Sequence, residues 1–431
     1  MNNRPISRRI INAHLIDPAS GFEGREDLFI ADGLIVGRGE APQGFKPDEI
    51  LDASGLVLCP GLVELRARLR DPGDPQHGDL QSELRAAVAG GITSIAGSPD
   101  TDPVADTASV IRYQRSRAEE LGLARLYPLG ALTQQLQSEQ LAEMATLRDA
   151  GAWAMSNADH PIQNARVLRN ALEYAASLQI PVFLHSEDAT LGRWDMHEGE
   201  VSTRLGLAGQ ATAAEVIGLM RDLGLAELTG ARVHIQHLSS AASLEQFSRM
   251  AARNLPVSAD VSIHHLHLTH YDIGYFDVHA KTCPPLRTHR DRDALRSALR
   301  AGTLAAISSD HSPWHADLGR DTFHSAPFGI SGLDTLLPLV LRLVDEGVLE
   351  LKDALARVTV GPARILGIPA GTLAVGAPAD LCLFDPEARF VVQPERFLSR
   401  GKNSPYGGWE LRGVVRHTFV GGRQVFCRPA G

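Results

Sequence analysis

The sequence predicts a (β/α)8 TIM-type barrel with a small β-sandwich domain built from the N- and C-terminal segments. Three observations predict it. Eight short apolar runs lie near residues 57–65, 92–97, 125–130, 152–156, 181–185, 232–237, 256–260 and 303–308. Helical patterns separate them, as repeated βαβ units require. Both chain ends are instead rich in short β-like runs and turn signals. Eight strand–helix units favour a closed barrel over an open sheet.

In order along the chain, residues 1–56 read as the N-terminal part of the small domain. The runs R-I-I-N-A-H-L-I-D-P and D-L-F-I-A-D-G-L-I-V-G-R-G alternate with turns, and Asp32-Gly33 is a hairpin signal. Residues 57–368 carry the barrel. L-Q-S-E-L-R-A-A-V-A precedes the second strand run and V-L-R-N-A-L-E-Y-A-A-S-L the fifth, both with helical periodicity. Residues 369–431 return to β-like runs, with A-D-L-C-L-F-D and a turn at Gly421-Gly422, and complete the small domain.

Composition narrows the function classes. With 431 residues, 44% of them hydrophobic, the chain can fill a large core. Its formal net charge of −9 argues against a nucleic-acid partner or a basic membrane-binding face. No apolar run approaches the roughly 18 residues of a membrane span. The N-terminus, M-N-N-R-P-I-S-R-R, lacks the apolar stretch of a signal peptide. Cys59, Cys283, Cys382 and Cys427 are scattered, with no C-x-x-C pair, which fits reduced thiols in the cytoplasm.

Catalytic residues of such a barrel project from the carboxyl ends of the strands. The fifth run ends P-V-F-L-H-S-E-D, placing His185 there, and the sixth, V-H-I-Q-H-L-S-S, ends at His237. The eighth, A-A-I-S-S-D-H-S-P, ends at Asp310. Two imidazoles and a carboxylate from three strand ends make a transition-metal set. The first run leads into Arg66, Arg68 and Arg70, which strand geometry would turn to one side. A guanidinium has five donors and no acceptor lone pair, so none of these three can ligate a cation.

The motif P-G-L-V-E-L-R-A-R-L-R-D-P-G resembles the first barrel strand of the cyclic amidohydrolases, most closely the dihydroorotases. H-S-E-D, H-I-Q-H-L-S-S and S-S-D-H-S-P resemble that family's metal-binding and general-base elements. Cys283-Pro284-Pro285-Leu286-Arg287, the A-P-F-G-I-S-G-L-D-T stretch at 326–335 and the segment ending at Leu373 extend the likeness over nearly the whole chain. The Pro-Pro-Leu-Arg and Ala-Pro-Phe-Gly elements favour dihydroorotase over hydantoinase or allantoinase. The resemblance implies Asp310 as general base, Arg70 as the substrate-carboxylate ligand, His264 (with His265) at a family His-His pair, and zinc as cofactor.

Against that family pattern the chain departs in one direction. Arg66 and Arg68 stand where the family has zinc-binding histidines. Asn157 and Ala158 align with a metal-binding aspartate, Asp159 being one residue out of strand phase. Asp100 stands where an amide would meet a substrate carboxylate, adding repulsion or sitting solvated in its loop. A Zn²⁺ ~4 Å from a guanidinium is repelled by about 8 kcal/mol at an effective dielectric of roughly 20. Two zinc ions are therefore excluded unless both arginines turn outward to sit solvated at the barrel rim, leaving at most one, on His185, His237 and Asp310, or none. Arg66 or Arg68 is expected to pair with Asp310 in place of the missing ion.

The resemblance implies three functions. The first is a weakly active or non-catalytic homologue that assembles with aspartate transcarbamoylase, as some bacterial dihydroorotase-like chains do. The second is a single-zinc dihydroorotase interconverting N-carbamoyl-L-aspartate and L-dihydroorotate, or another cyclic amidohydrolase. The third is a metal-free enzyme clamping a small anionic pyrimidine precursor with Arg66, Arg68 and Arg70. A homo-oligomer is expected in each case.

Overall fold

The structure, a computed structural model, describes residues 6–192, 194–317 and 322–429, so part of the N-terminal stretch read for a signal peptide lies outside the described residues. Eight parallel strands form the central sheet: β1 (Leu62–Ala67), β2 (Ile92–Gly97), β3 (Arg125–Ala131), β4 (Ala154–Ser156), β5 (Val182–Leu184), β6 (Val233–Ile235), β7 (Val257–Ser262) and β8 (Ala306–Ser308). Each falls on one of the eight runs read from the sequence. The strands are short and fully or mostly buried, as expected where helices cover a parallel sheet. The helices Leu80–Ala89 and Ala165–Ser177 cover the stretches whose periodicity predicted them, each capped by a side chain, Asp79 and Asn164 respectively.

Closure of the barrel rests on polar groups between β1 and β8. A parallel bridge joins Ala67 to His311. Glu64, fully buried, accepts the Arg66 N–H at 2.9 Å through one carboxyl oxygen and the Ser309 N–H at 2.7 Å through the other. His311 Nδ1 accepts the Gly332 N–H, which places the ring proton on Nε2, donated to the buried Glu83 at 2.9 Å. Neither Glu64 nor His311 was singled out from the sequence.

Burial pushes the Glu64 carboxyl up to about 8. A group raised in the folded state contributes its full stability below its unfolded value and loses it as pH rises through the folded value. Stability is therefore expected to decline between pH ~4.5 and ~8 on this account. Glu64→Gln should flatten that decline while costing about 1–3 kcal/mol at acid pH, because an amide NH₂ then faces a backbone donor. Urea unfolding of parent and variant at pH 5 and pH 8 checks both.

The two chain ends form a β-sandwich. One sheet has four strands, including the hairpin Leu28–Ala31 and Leu34–Arg38 turned by Asp32 and Gly33, both at positive φ. The other has six and contains Leu381–Val391, Glu410–Val420 and Arg423–Cys427, with Gly421 and Gly422 at the last turn. Ile10, Leu28 and Ile35 of the first sheet pack against Leu15, Leu58, Leu383 and Phe419 of the second in one apolar core. Val57–Pro60, which the sequence division at 57 placed at the start of the barrel, pairs here instead, between His14–Asp17 and Leu381–Val391. This puts Cys59 directly opposite Cys382, so two cysteines remote in sequence face each other as buried free thiols.

The helix Val360–Leu366 and the residues after it pack Ala363, Ile365, Leu366 and Ile368 onto Val63, Leu129, Ala154 and Phe183 of the strands. No helix among the described residues is long and apolar enough to cross a membrane.

Candidate functional site: an ion-paired barrel mouth

Arg66 and Arg68 leave β1 toward the same side, and their guanidiniums meet at Asp159. Arg66, 1% exposed, donates through Nη2 to Asp159 Oδ1 at 2.5 Å and through Nη1 to Asp310 Oδ1 at 3.2 Å. The Arg66–Asp310 pair is the contact expected from the sequence. Arg68 donates through Nε to Asp100 Oδ2 at 2.6 Å, through Nη2 to Asp159 Oδ2, and through Nη1 to Ser312 at 3.1 Å. Three carboxylates and two guanidiniums thus form one buried network. Burial alone would raise Asp159 and Asp100, but the guanidiniums outweigh it. Arg66 and Arg68 hold Asp159 well below the usual carboxylate range, and Arg68 holds Asp100 at about 2.

His237 is drawn into the same network. Arg66 Nη1 lies 2.9 Å from His237 Nδ1. A guanidinium only donates, so Nδ1 must accept, and the imidazole is neutral with its proton on Nε2. Burial likewise lowers the His237 pKa. Asp260 holds the backbone by accepting the His237 N–H at 2.6 Å. The lone pair that would bind a metal is therefore spent on a cation.

Several readings made from the sequence need correction. Asp159 does reach the mouth: β4 ends at Ser156, so strand alternation stops there, and Ala158 at φ 49° turns the chain to present Asp159. Asn157 is not part of the mouth. Its side chain accepts from the Thr133 N–H and hydroxyl and donates to the Leu136 and His160 carbonyls, holding a loop. Asp100 is neither solvated nor free to repel an anion, because Arg68 neutralises it. The three arginines do not form a clamp, since Arg66 and Arg68 are committed to carboxylates. Arg70, at φ 57°, turns away from the strand phase and stacks its guanidinium 4.2 Å over the Trp314 ring. Its Nε and Nη2 are buried without partners, and burial lowers its pKa to about 10, so it stays charged at neutral pH. His264 sits fully buried on the helix Ile263–His267, with Nδ1 3.0 Å from the Tyr406 hydroxyl, and His265 Nε2 meets the Pro285 carbonyl at 3.2 Å. Both rings lie just past the carboxyl end of β7, each with its second nitrogen buried without a partner among the described residues.

The predicted zinc set, His185, His237 and Asp310, is not assembled, because Arg66 holds the last two. Among the described residues a different set comes together: Asp159, His185 and Cys283 offer ligand atoms within 4.8 Å of one another. Its donor chemistry does not fit zinc. Both Asp159 oxygens are engaged by guanidiniums, so the carboxylate of this set is already committed to fixed cations. His185 Nε2 is 3.3 Å from Glu187 Oε2 and 3.8 Å from the Cys283 sulfur. A divalent ion there would stand beside Arg66 and Arg68, with a repulsion on the order of several kcal/mol from each.

Comparison with known proteins gives the site its context. Residues 55–243 match the family model described as "Dihydro-orotase-like". The chain is 42% identical over 418 residues to the dihydroorotase of Syntrophotalea carbinolica, covering 97% of this chain and 98% of the relative. It is 45% identical over 414 residues to a dihydroorotase-like protein of Pseudomonas aeruginosa, with 96% and 98% covered. Among solved structures, the L-hydantoinase (dihydropyrimidinase) of Arthrobacter aurescens superposes with a TM-score of 0.86 at 22% identity, covering 97% of this chain and 96% of that one. A D-hydantoinase follows at 0.81 and 24%, and at such identities the two show the shared fold alone.

Proposed function

Because the chain belongs to the dihydroorotase-like family of pyrimidine-related amidohydrolases, we propose that it is a homologue that has given up hydrolysis and serves as a structural partner, with aspartate transcarbamoylase as the subunit it assembles with. One observation carries the reading. Arg66 occupies the centre of the barrel mouth and binds Asp159, Asp310 and the His237 lone pair at once. The three groups best suited to hold a metal or move a proton are thereby tied to a fixed positive charge. Among the described residues, Arg70 keeps Nε and Nη2 without partners and Arg66 keeps its Nε, donors that can hold a carboxylate but cannot activate water.

A single-zinc dihydroorotase is the second reading. The proximity of Asp159, His185 and Cys283 speaks for it, and the pairing of Asp159 with Arg66 and Arg68 speaks against it.

The test uses the purified full chain. Zinc is counted per chain, and ring closure of N-carbamoyl-L-aspartate is followed with and without added zinc. The expected result is far less than one zinc per chain and no turnover above background, with the transcarbamoylase co-purifying in fixed ratio from the native source. Stoichiometric zinc with turnover abolished by His185→Ala would instead establish the second reading. An inactive chain that co-purifies with no transcarbamoylase would overturn the proposed partnership.

A further inference from the structure

A cavity of about 1230 Å³ opens at the end of the barrel opposite the ion-paired mouth, between the starts of β3 to β6 and the turn Gly421-Gly422 of the sandwich. The apolar layer of Val63, Leu129, Ala154 and Phe183 separates it from Arg66 and its partners. Its lining is unlike the rest of this acidic chain. Six arginines face it and a single glutamate, Glu119. Two of the six are neutralised nearby, Arg8 by Glu49 at 2.5 Å and Arg125 by Asp380 at 2.8 Å.

The others are less committed. Arg115 lies 3.4 Å from Glu119, at the outer range of pairing, and Arg148 pairs with the exposed Asp149. Among the described residues, Arg232 is held only by the carbonyls of Arg364 and Ile365, both at 2.5 Å. The Arg423 side chain has no hydrogen-bond or ion-pair partner among the described residues. The backbone makes room for it: a Cβ on Gly122 would stand 2.4 Å from its guanidinium. Beside these cations lies an aromatic wall. Tyr127 and Trp153 meet edge to face at 5.1 Å. Trp153 spends its indole N–H on the Leu366 carbonyl at 2.8 Å, yet the residue, which lines the cavity, stays 39% exposed. With its one donor committed, the ring has only apolar and π surface to offer a ligand.

Guanidiniums without carboxylate partners bind phosphate oxygens, often in pairs of parallel hydrogen bonds. An exposed indole face takes a flat ring, and base–aromatic stacking contributes about 1–3 kcal/mol per base. Small-ligand pockets commonly enclose about 300–1,000 Å³, so this one has room for both parts. We propose that the cavity binds a nucleoside phosphate, with the base against Trp153 and Tyr127 and the phosphates on Arg423 and Arg232. The site is independent of the barrel mouth, and its test does not depend on whether the chain hydrolyses anything.

The full chain is titrated with ADP, UDP, inorganic pyrophosphate and adenosine, followed by tryptophan fluorescence and calorimetry. At least one diphosphate nucleoside is expected to bind at least ~10-fold more tightly than pyrophosphate or adenosine, since neither fragment engages both halves. Arg423→Glu is expected to weaken that binding by at least ~10-fold, because one charge-assisted contact becomes a repulsion. Arg389→Glu, on an exposed strand elsewhere, should leave it unchanged. Arg423 is exposed and its side chain has no polar partner among the described residues, so its variant is expected to melt with the parent. The proposal fails if no nucleotide saturates the chain, if pyrophosphate binds as tightly as the nucleotides, or if Arg423→Glu binds them like the parent.

Discussion

The double variant Arg66→His/Arg68→His is expected to take up zinc where the parent does not. Two fixed charges leave the mouth, each worth several kcal/mol of repulsion against a divalent ion at ~4 Å and an effective dielectric of about 20. Two neutral imidazoles arrive, Asp159 and Asp310 are freed, and the His237 lone pair is released. A site of imidazoles and carboxylates at strand ends is what zinc prefers. Without the ion, the freed carboxylates of Asp159 and Asp310 repel each other, so the variant should be less stable than the parent in chelator. Added zinc at about 100 times its dissociation constant should return roughly 2.7 kcal/mol. Metal analysis and melting with and without zinc read the two effects. A variant that folds and still binds no zinc would show that something other than the arginines keeps the ion out.

Asp159→Ala should be the most damaging single change at the mouth. It strips a shared carboxylate from two buried guanidiniums, whose side chains are 2% and 12% exposed. Breaking a buried ion pair by removing one partner typically costs about 3–5 kcal/mol, because the remaining charge stays buried. Arg66 retains Asp310 and Arg68 retains Asp100, which places the expected loss near the lower end, about 3 kcal/mol. The pH dependence has a definite sign. A carboxylate lowered in the folded state contributes stability above its unfolded value and loses it as pH falls through the folded one. Asp159 is held well below the usual range and Asp100 at about 2. The parent should therefore lose stability steeply from pH ~4 downward, and Asp159→Ala should lose less over the same interval. Urea midpoints at pH 7 and pH 3 decide it, and a loss under ~1 kcal/mol at pH 7 would mean the guanidiniums find water or other partners.

The barrel was legible because its signal is periodic. Each buried strand is a short apolar run, and each covering helix shows its own spacing, so eight units could be counted without knowing any contact. The Arg66–Asp310 pair was legible for a related reason: both residues sit at strand ends, and strand ends of a barrel converge. Asp159 was not legible. Its position depends on a left-handed Ala158 just past β4, and nothing in A-M-S-N-A-D-H-P announces that turn. The same holds for Arg70, whose positive φ breaks the alternation that Arg66 and Arg68 obey. Glu64 and His311 were passed over because each reads as one polar residue in an apolar stretch. The signal was there, since a carboxylate inside a buried run must have partners. The cavity at the far end of the barrel is assembled from residues scattered from Ile6 to Gln424, a grouping only the fold reveals.

The strand Val57–Pro60 has an implication for how the chain comes to be made. It immediately precedes β1, yet its neighbours are His14–Asp17 and Leu381–Val391, one synthesised before it and the other only after the whole barrel. While the barrel emerges from the ribosome, one edge of Val57–Pro60 therefore waits without its strand partner. Pairings between distant parts of a chain form slowly, and unpaired edges are prone to stick to other chains. A nascent chain stopped short of residue 381 would hold all eight barrel strands while this edge stays bare, which makes the final fifty residues the clasp that ends its period of vulnerability.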